Sequence, residues 1–371
     1  MNKIFLVLLI LNLSQDILVA SDDTDHEMAI SKVPPVQQPL IVSKPGDYSY
    51  EELDDERIYK LVPVIEEMDP AVPLIFRGNQ FGPQGALHLG MAIKNGTKNL
   101  DVSQNRLDAT DLMLLSVCFA EGLESLKIGV NNFGTKGLSI LAKTLPRSLT
   151  TLELSHSEID DENIKILAAG LPLSLAKLNL SANKLGEQGL HTLSSLALDW
   201  LSDLNLRHNN FGDIGLKSLF SRPWPHLMFL DLCGNKITIE GIKFFPKPLN
   251  QKLMTLNLGY NYIGPEGTAE LLSRLPDTLT GLDLTSNKIG DVGAKAIADH
   301  GIPKPLNIIL MNNVITDNGV FWIANGDFLV NTIINLTGNY VGENGLLSLQ
   351  NSGFTCSQNV FIKTMLRTII C

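Results

Sequence analysis

Cysteine is scarce: four in 371 residues, too few for a disulfide framework. Aromatic side chains make up only 6% of the chain, so any core has to be mainly aliphatic. An excess of positive charge is missing altogether. Lysine and arginine total 29 against 39 aspartates and glutamates, a formal net charge of -10, which argues against a protein that grips a nucleic-acid backbone. No run of 18 apolar residues occurs, so no transmembrane helix is expected. Phosphate loops, zincin helices, Cys-x-x-Cys pairs and Gly-x-Ser-x-Gly motifs are also lacking. No cofactor, metal or catalytic residue is therefore expected.

Hydrophobic residues make up 44% of the chain, too many for a disordered protein. The length fits two or three domains or one long repeat array. The acidity is local: residues 21–70 hold thirteen carboxylates against four basic side chains, and residues 71–371 carry a net charge of about -1. Lys3 precedes an apolar run over residues 4–11, with small residues at Ala20 and Ser21. That is the length and grammar of a signal peptide, assigned to residues 1–20, and it predicts a secreted or extracytoplasmic protein with no membrane span after cleavage. Residues 21–48 mix acids with Pro34, Pro35, Pro39 and Pro45 and read as a tether. From Tyr48 to Met68 the stripe Leu53, Ile58, Leu61, Ile65 reads as a helix, a cap over residues 49–70 that Pro63 would kink.

The informative feature is a period. Asparagine stands at 79, 105, 131, 183, 209, 235, 261, 287, 313 and 339, with Ser157 filling the one gap in an unbroken 26-residue lattice of eleven positions. Five and three residues before each stand aliphatic or aromatic side chains, such as Leu178 and Leu180 before Asn183; apolar-x-apolar is a short half-buried strand. The second half of each unit has helical spacing, as in Leu138, Leu141, Ala142, Leu145. Before each helix sits a capping or turn residue such as Gly134, Asp160 or Thr238, and three residues later glycine is usual, as at Gly137 and Gly189.

The pattern Leu175-x-x-Leu178-x-Leu180-x-x-Asn183-x-Leu185-Gly186-x-x-Gly189 resembles the leucine-rich repeat, most of all its ribonuclease-inhibitor-like subclass. The resemblance covers about residues 71–350. It implies an α/β solenoid, a horseshoe with a parallel inner β-sheet and convex helices, built from about eleven repeats. At about 4.8 Å per strand the inner sheet would run roughly 50 Å. In such a fold the ladder asparagines pair backbone groups of adjacent turns that would otherwise be buried unpaired. Ser157, whose unit has Asp160 and Asn163 in place of both glycines, is then a soft spot. Residues 351–371 would form a C-terminal cap, with Cys356 and Cys371 as candidates for a disulfide. Asn95, Asn179 and Asn335 fit the glycosylation acceptor pattern.

With the ladder columns structural, function falls to the variable concave positions. The candidate partner-binding residues there are Asp101, Lys127, Glu153, Asn179, Asn205, Asp231 and Asp283, with Arg207, His208 and Phe229 beside them. Near the C-terminal end stand the apolar Ile309, Met311 and Ile333, with Tyr260 on an exit loop two units earlier. His208 and Cys233 lie in adjacent units, but a nucleophile–base pair or half a metal site would need a third orienting group and an enclosed pocket, and neither is apparent. The expectation is a monomeric, exported protein-binding scaffold, secreted or acting as an effector on another cell. Carbohydrate or cell-envelope binding is one alternative. This chain resembles the Ran GTPase-activating protein in repeat type, so a GTPase-activating-type regulator is another; Arg77 and Arg106 on early exit loops would then be the residues in question.

Overall fold

A computed structural model describes residues 44–93, 96–116, 119, 122–301, 306–328, 332–352 and, as backbone, 360–361. The signal-peptide segment, residues 21–43 of the tether, Asn95, Cys118, Cys356 and Cys371 lie outside the described residues. From Gly46 onward the chain is one compact unit.

The 26-residue lattice becomes a stack of strand–helix turns. Its strands are β1 (Leu74–Ile75), β2 (Asn99–Asp101), β3 (Ser125–Lys127), β4 (Thr151–Glu153), β5 (Lys177–Asn179), β6 (Asp203–Asn205), β7 (Phe229–Asp231), β8 (Thr255–Asn257), β9 (Gly281–Asp283), β10 (Asn307–Ile309), β11 (Ile333–Asn335) and β12 (Val360–Phe361). They form one parallel sheet in sequence order, each pair between β1 and β11 in 26-residue register, as in Leu178↔Leu204. β12 adds a twelfth strand beyond the eleven expected.

The helices are α1 (Asp55–Glu67), α2 (Pro83–Ala92), α3 (Ala109–Ser116), α4 (Gly134–Thr144), α5 (Asp161–Ala168), α6 (Glu187–Ser195), α7 (Gly212–Leu219), α8 (Ile239–Ile242), α9 (Gly264–Leu272), α10 (Gly290–His300), α11 (Asp317–Ala324) and α12 (Glu343–Asn351). The aliphatic columns of strands and helices are buried between the two layers. The second glycine column lets helices approach: a methyl on Gly189 would come within 2.5 Å of Asp161 Oδ1.

The asparagine ladder works through both ends of the amide. Asn105 Nδ2 donates to the carbonyls of Phe76 (2.9 Å) and Val102 (2.8 Å), while its Oδ1 accepts from the Asn79 N–H at 2.8 Å. Each such carbonyl can take two amides, its own unit's and the next unit's: Phe76 O also accepts from Asn79 Nδ2. The tight exit this imposes puts the residue just before the ladder position in left-handed backbone in all eleven units, from Gly78 (φ 71°) to Gly338 (φ 77°) and including Val130 (φ 56°). That conformation is strained for a β-branched residue. No pattern in the sequence announced it, since only three of the eleven are glycine.

Ser157 keeps the lattice but not the bonding. Its N–H donates to Asn183 Oδ1 at 2.9 Å, and its hydroxyl reaches only the Ser155 carbonyl, at 3.2 Å. The helix start of the same unit is sound, because Asp160 accepts from the Glu162 and Asn163 N–H groups. Ser157→Asn is expected to raise stability by about 1–2 kcal/mol by restoring bonds to Ile128 O, Leu154 O and the Asn131 N–H, at about 1 kcal/mol each less side-chain ordering. Urea denaturation of the two chains measures it, and a lowered midpoint would show that the site lacks room for the amide.

At the N-terminal edge the helix begins at Asp55, seven residues later than the expected start at Tyr48. Residues before it make a further half-turn: the N–H groups of Tyr48 and Tyr50 donate to Ile75 O (2.7 Å) and Arg77 O (2.8 Å), and those of Glu51 and Leu53 to Asn79 Oδ1. The edge of the solenoid captures these residues before a helix can. Asp54 then caps α1 through the Arg57 N–H, and Pro63 lies inside the helix without ending it.

Candidate partner-binding surface

The strand-end column read as partner-binding has a structural duty. Asp101, Glu153, Asn179, Asn205, Asp231, Asn257, Asp283 and Asn335 each accept the backbone N–H two residues on, at 2.8–3.0 Å. The sheet leaves that N–H without a strand partner, so the column selects Asn, Asp and Glu. Asp101 is only 9% exposed and also takes the Ser103 hydroxyl at 2.6 Å, so it is not presented to a partner. Lys127 makes no such bond and is exposed. The others are half-buried. Two reach across units: Asn179 Nδ2 to Glu153 Oε1 (3.3 Å) and Asn257 Nδ2 to Asp231 Oδ2 (3.2 Å).

Burial raises the Asp231 carboxyl above the usual carboxylate range, while the Cys233 N–H, Arg207 and Asn257 pull it back. His208 is lowered, first by desolvation and then by Arg207, with Asp231 opposing. Its ring lies over Gly234, where any Cβ would collide with it. Cys233 is fully buried, and desolvation pushes its thiol up to about 11, with Arg207 opposing. A thiol so placed is protonated and poorly nucleophilic at neutral pH. Iodoacetamide at pH 7.5 is expected to leave Cys233 unmodified in the native chain and to alkylate it in urea, read by peptide mass; fast native labelling would show an exposed thiolate. Among the described residues no group of three or more His, Cys, Asp or Glu could hold a metal ion.

The C-terminal half of the sheet has a different character. Phe229, 42% exposed, belongs to a register row that continues through Thr255, Gly281, Asn307 and Ile333. Gly281 has no side chain to fill its place, and a depression of about 300 Å³ opens there, walled by Thr255, Asp283, Asn307 and Ile309. Ile309 in its wall, and Met311 and Ile333 at the same end of the array, are half-buried, neither core nor fully exposed. On the exit loops Tyr260 is 53% exposed, and Tyr262 and Tyr340 are also exposed. The backbones of Tyr262 and Tyr340 are pinned by bonds to Ile237 O and Ile315 O, both 2.8 Å, so their rings are displayed from rigid positions. Tyr340 is legible as the residue one past the ladder asparagine, but only its exposure marks it. Arg77 and Arg106 are both exposed at the opposite end.

The family model of the leucine-rich repeat matches the chain over residues 146–165, 199–220, 249–272 and 277–298. No curated protein matches the chain. Among solved structures, a chain from the yeast Rad7 and Elc1 complex is similar with a TM-score of 0.55 at 14% identity, covering 85% of this chain and 82% of that one. An internalin from Listeria monocytogenes is similar with a TM-score of 0.46 at 17% identity, covering 84% of this chain and 77% of its own.

Proposed function

We propose that this chain, a leucine-rich-repeat protein, is an exported scaffold that binds another protein on the C-terminal half of its concave face and performs no chemistry of its own. The observation that carries the reading is the set of exposed or half-exposed apolar groups at this end of the sheet, Phe229, Ile309, Met311 and Ile333, of which Ile309 walls the Gly281 depression, continued by Tyr260 on the exit loop. Rigidly held aromatic groups beside a pocket are what interface anchors look like. A preformed sheet lowers the ordering cost of binding, and the polar rim of Asp231, Asn257 and Asp283 suits specificity. The similar yeast structure is of a complex of Rad7 and Elc1, which agrees with a binding role without transferring its partner. Export rests on residues 1–20; an extracytoplasmic species beginning near Ser21 by intact mass supports it, and a full-length cytoplasmic chain removes it.

The binding site is tested by a photoreactive phenylalanine placed in turn at Phe229, Asn307 and, on the convex face, Lys165. The expected result is one shared protein adduct from the first two positions, none from Lys165, and loss of the adduct with Asp283→Lys. The same adduct from Lys165 would remove the concave-face assignment. An adduct with a glycan in place of a protein would transfer the role to carbohydrate binding.

A further inference from the structure

The edge where each helix returns the chain to the next strand carries a second surface, independent of the concave face. α8 has four residues where α7 and α9 have eight and nine. Pro246 and Pro248 follow it; neither has an N–H, and each disfavours helical backbone in the residue before it. The shortened helix leaves an apolar cavity of about 210 Å³, walled by Phe220, Trp224, Pro225, Leu227, Leu249 and Leu253. Its walls are held in place: Phe220 meets Phe245 edge-on at 4.9 Å, and the Trp224 indole N–H donates to Leu219 O at 2.9 Å. An apolar cavity of about 150 Å³ is known to stay dry and take up benzene, so this one has room for an aromatic ring or a large aliphatic side chain.

The rim is basic. Residues 241–253 include Lys243, Lys247 and Lys252 and no acid. Glu240 holds Lys243 and Asp199 holds Arg222, but among the described residues Lys247 and Lys252 make no ion pair. The field is visible on Glu270, whose carboxyl is held below its usual range by its hydrogen bond to Arg274, with Lys247 and Lys243 adding to it. Next to the cavity Trp200 is 63% exposed and stacks on His226 with ring centroids 4.9 Å apart. Trp200, His226 and Lys252 occupy one column of successive units. An apolar socket with an exposed indole and two ammonium groups that make no ion pair among the described residues complements one kind of occupant: an apolar anchor flanked by carboxylates.

We propose that this edge is a second docking site, for an acidic peptide segment of a partner protein that seats one aromatic or large aliphatic side chain in the cavity and sets its carboxylates against Lys247 and Lys252. A random twelve-residue peptide library displayed on phage, selected on the intact chain, tests it. The expected peptides carry Trp, Phe or Leu beside Asp or Glu. Their affinity falls at least tenfold with Leu249→Trp, which fills the cavity, and at least threefold with Lys247→Glu/Lys252→Glu, and it is unchanged by Asp283→Lys on the concave face. If Leu249→Trp does not fold, Gln251→Trp, which occludes the mouth from an exposed rim position, replaces it with the same expectation. Recovery of basic peptides, of peptides indifferent to these variants, or of none at all overturns the proposal. So does binding of phosphatidylglycerol/phosphatidylcholine vesicles by a chain that selects no peptide, which would make the edge a membrane contact. Loss of the concave-face adduct leaves this test untouched, so the two readings fail separately.

Discussion

Asn235→Ala is expected to lower the free energy of unfolding by about 4 kcal/mol. Asn235 is fully buried; its Nδ2 donates to Leu206 O (2.9 Å), Leu232 O (3.0 Å) and Cys233 O (3.2 Å), and its Oδ1 accepts from the N–H groups of Asn209 and Asn210, both at 2.8 Å. The carbonyl side has a reserve, because Leu206 O keeps Asn209 Nδ2 and Leu232 O keeps Asn261 Nδ2. The donor side has none. Two backbone N–H groups lose their acceptor, at roughly 1–3 kcal/mol for each that stays buried, and a small cavity adds to that. Since each unit touches only its neighbours, a weakened central interface also uncouples the halves of the array. Urea unfolding followed by circular dichroism should show a lower midpoint and a broadened or split transition. A loss under 1 kcal/mol would mean that the ladder's bonds are replaceable by water, and the structural assignment of the column would fall.

Gly170→Ala is expected to cost about 3 kcal/mol, from overpacking against atoms that are not free to move. Gly170 follows the end of α5, where its N–H donates to Leu167 O at 3.0 Å. A methyl there would be driven into the carbonyl and Cα of Ala142 in α4, backbone of a helix held on both sides. By contrast, Gly134, Gly212, Gly264 and Gly290 have open space where a Cβ would stand; what holds glycine there is their left-handed φ of 57–66°. Alanine at Gly212 should therefore cost about 1 kcal/mol, the ordinary left-handed penalty. The contrast separates collision from backbone preference, and equal effects at the two positions would contradict it.

The architecture was readable because a period is a statement about packing. Leucines at fixed offsets from an asparagine, eleven times over, leave each unit one way to bury its apolar face, against its neighbours in register. What escaped notice came from contacts between one unit and the next. Asp161, Asp213, Asp291 and Asp317 accept the N–H at the next unit's helix start at 2.6–2.8 Å, from Gly186, Thr238, Thr316 and Gly342. Asp55 does the same for Gly82. The signal in the sequence is aspartate recurring four residues past the ladder position, which by type and place is indistinguishable from ordinary charge in a first helical turn. The concave polar column was read as binding surface for a similar reason: Asp231 or Asn179 in a strand looks solvent-directed until the unpaired N–H two residues on is seen.

The candidate site divides along the same line. Phe229, Tyr260, Ile309, Met311 and Ile333 could be placed on the sheet or its exit loops by counting, because register is arithmetic in an unbroken repeat. The depression at Gly281 and the cavity beside Trp224 could not. The first arises where a missing side chain falls between filled rows, and the second where two prolines stop a helix short.

By itself the sequence determined the repeat, its register, the aliphatic core and the neutral body behind an acidic N-terminal segment, since all of these follow from residue type and spacing. Which polar groups serve the backbone and which face solvent, how deeply the Cys233 thiol is buried, and where apolar surface is left uncovered emerge only when the units stack. Those depend on whether a neighbouring turn supplies a hydrogen-bond partner or a packing atom, and that is a property of the stacked units.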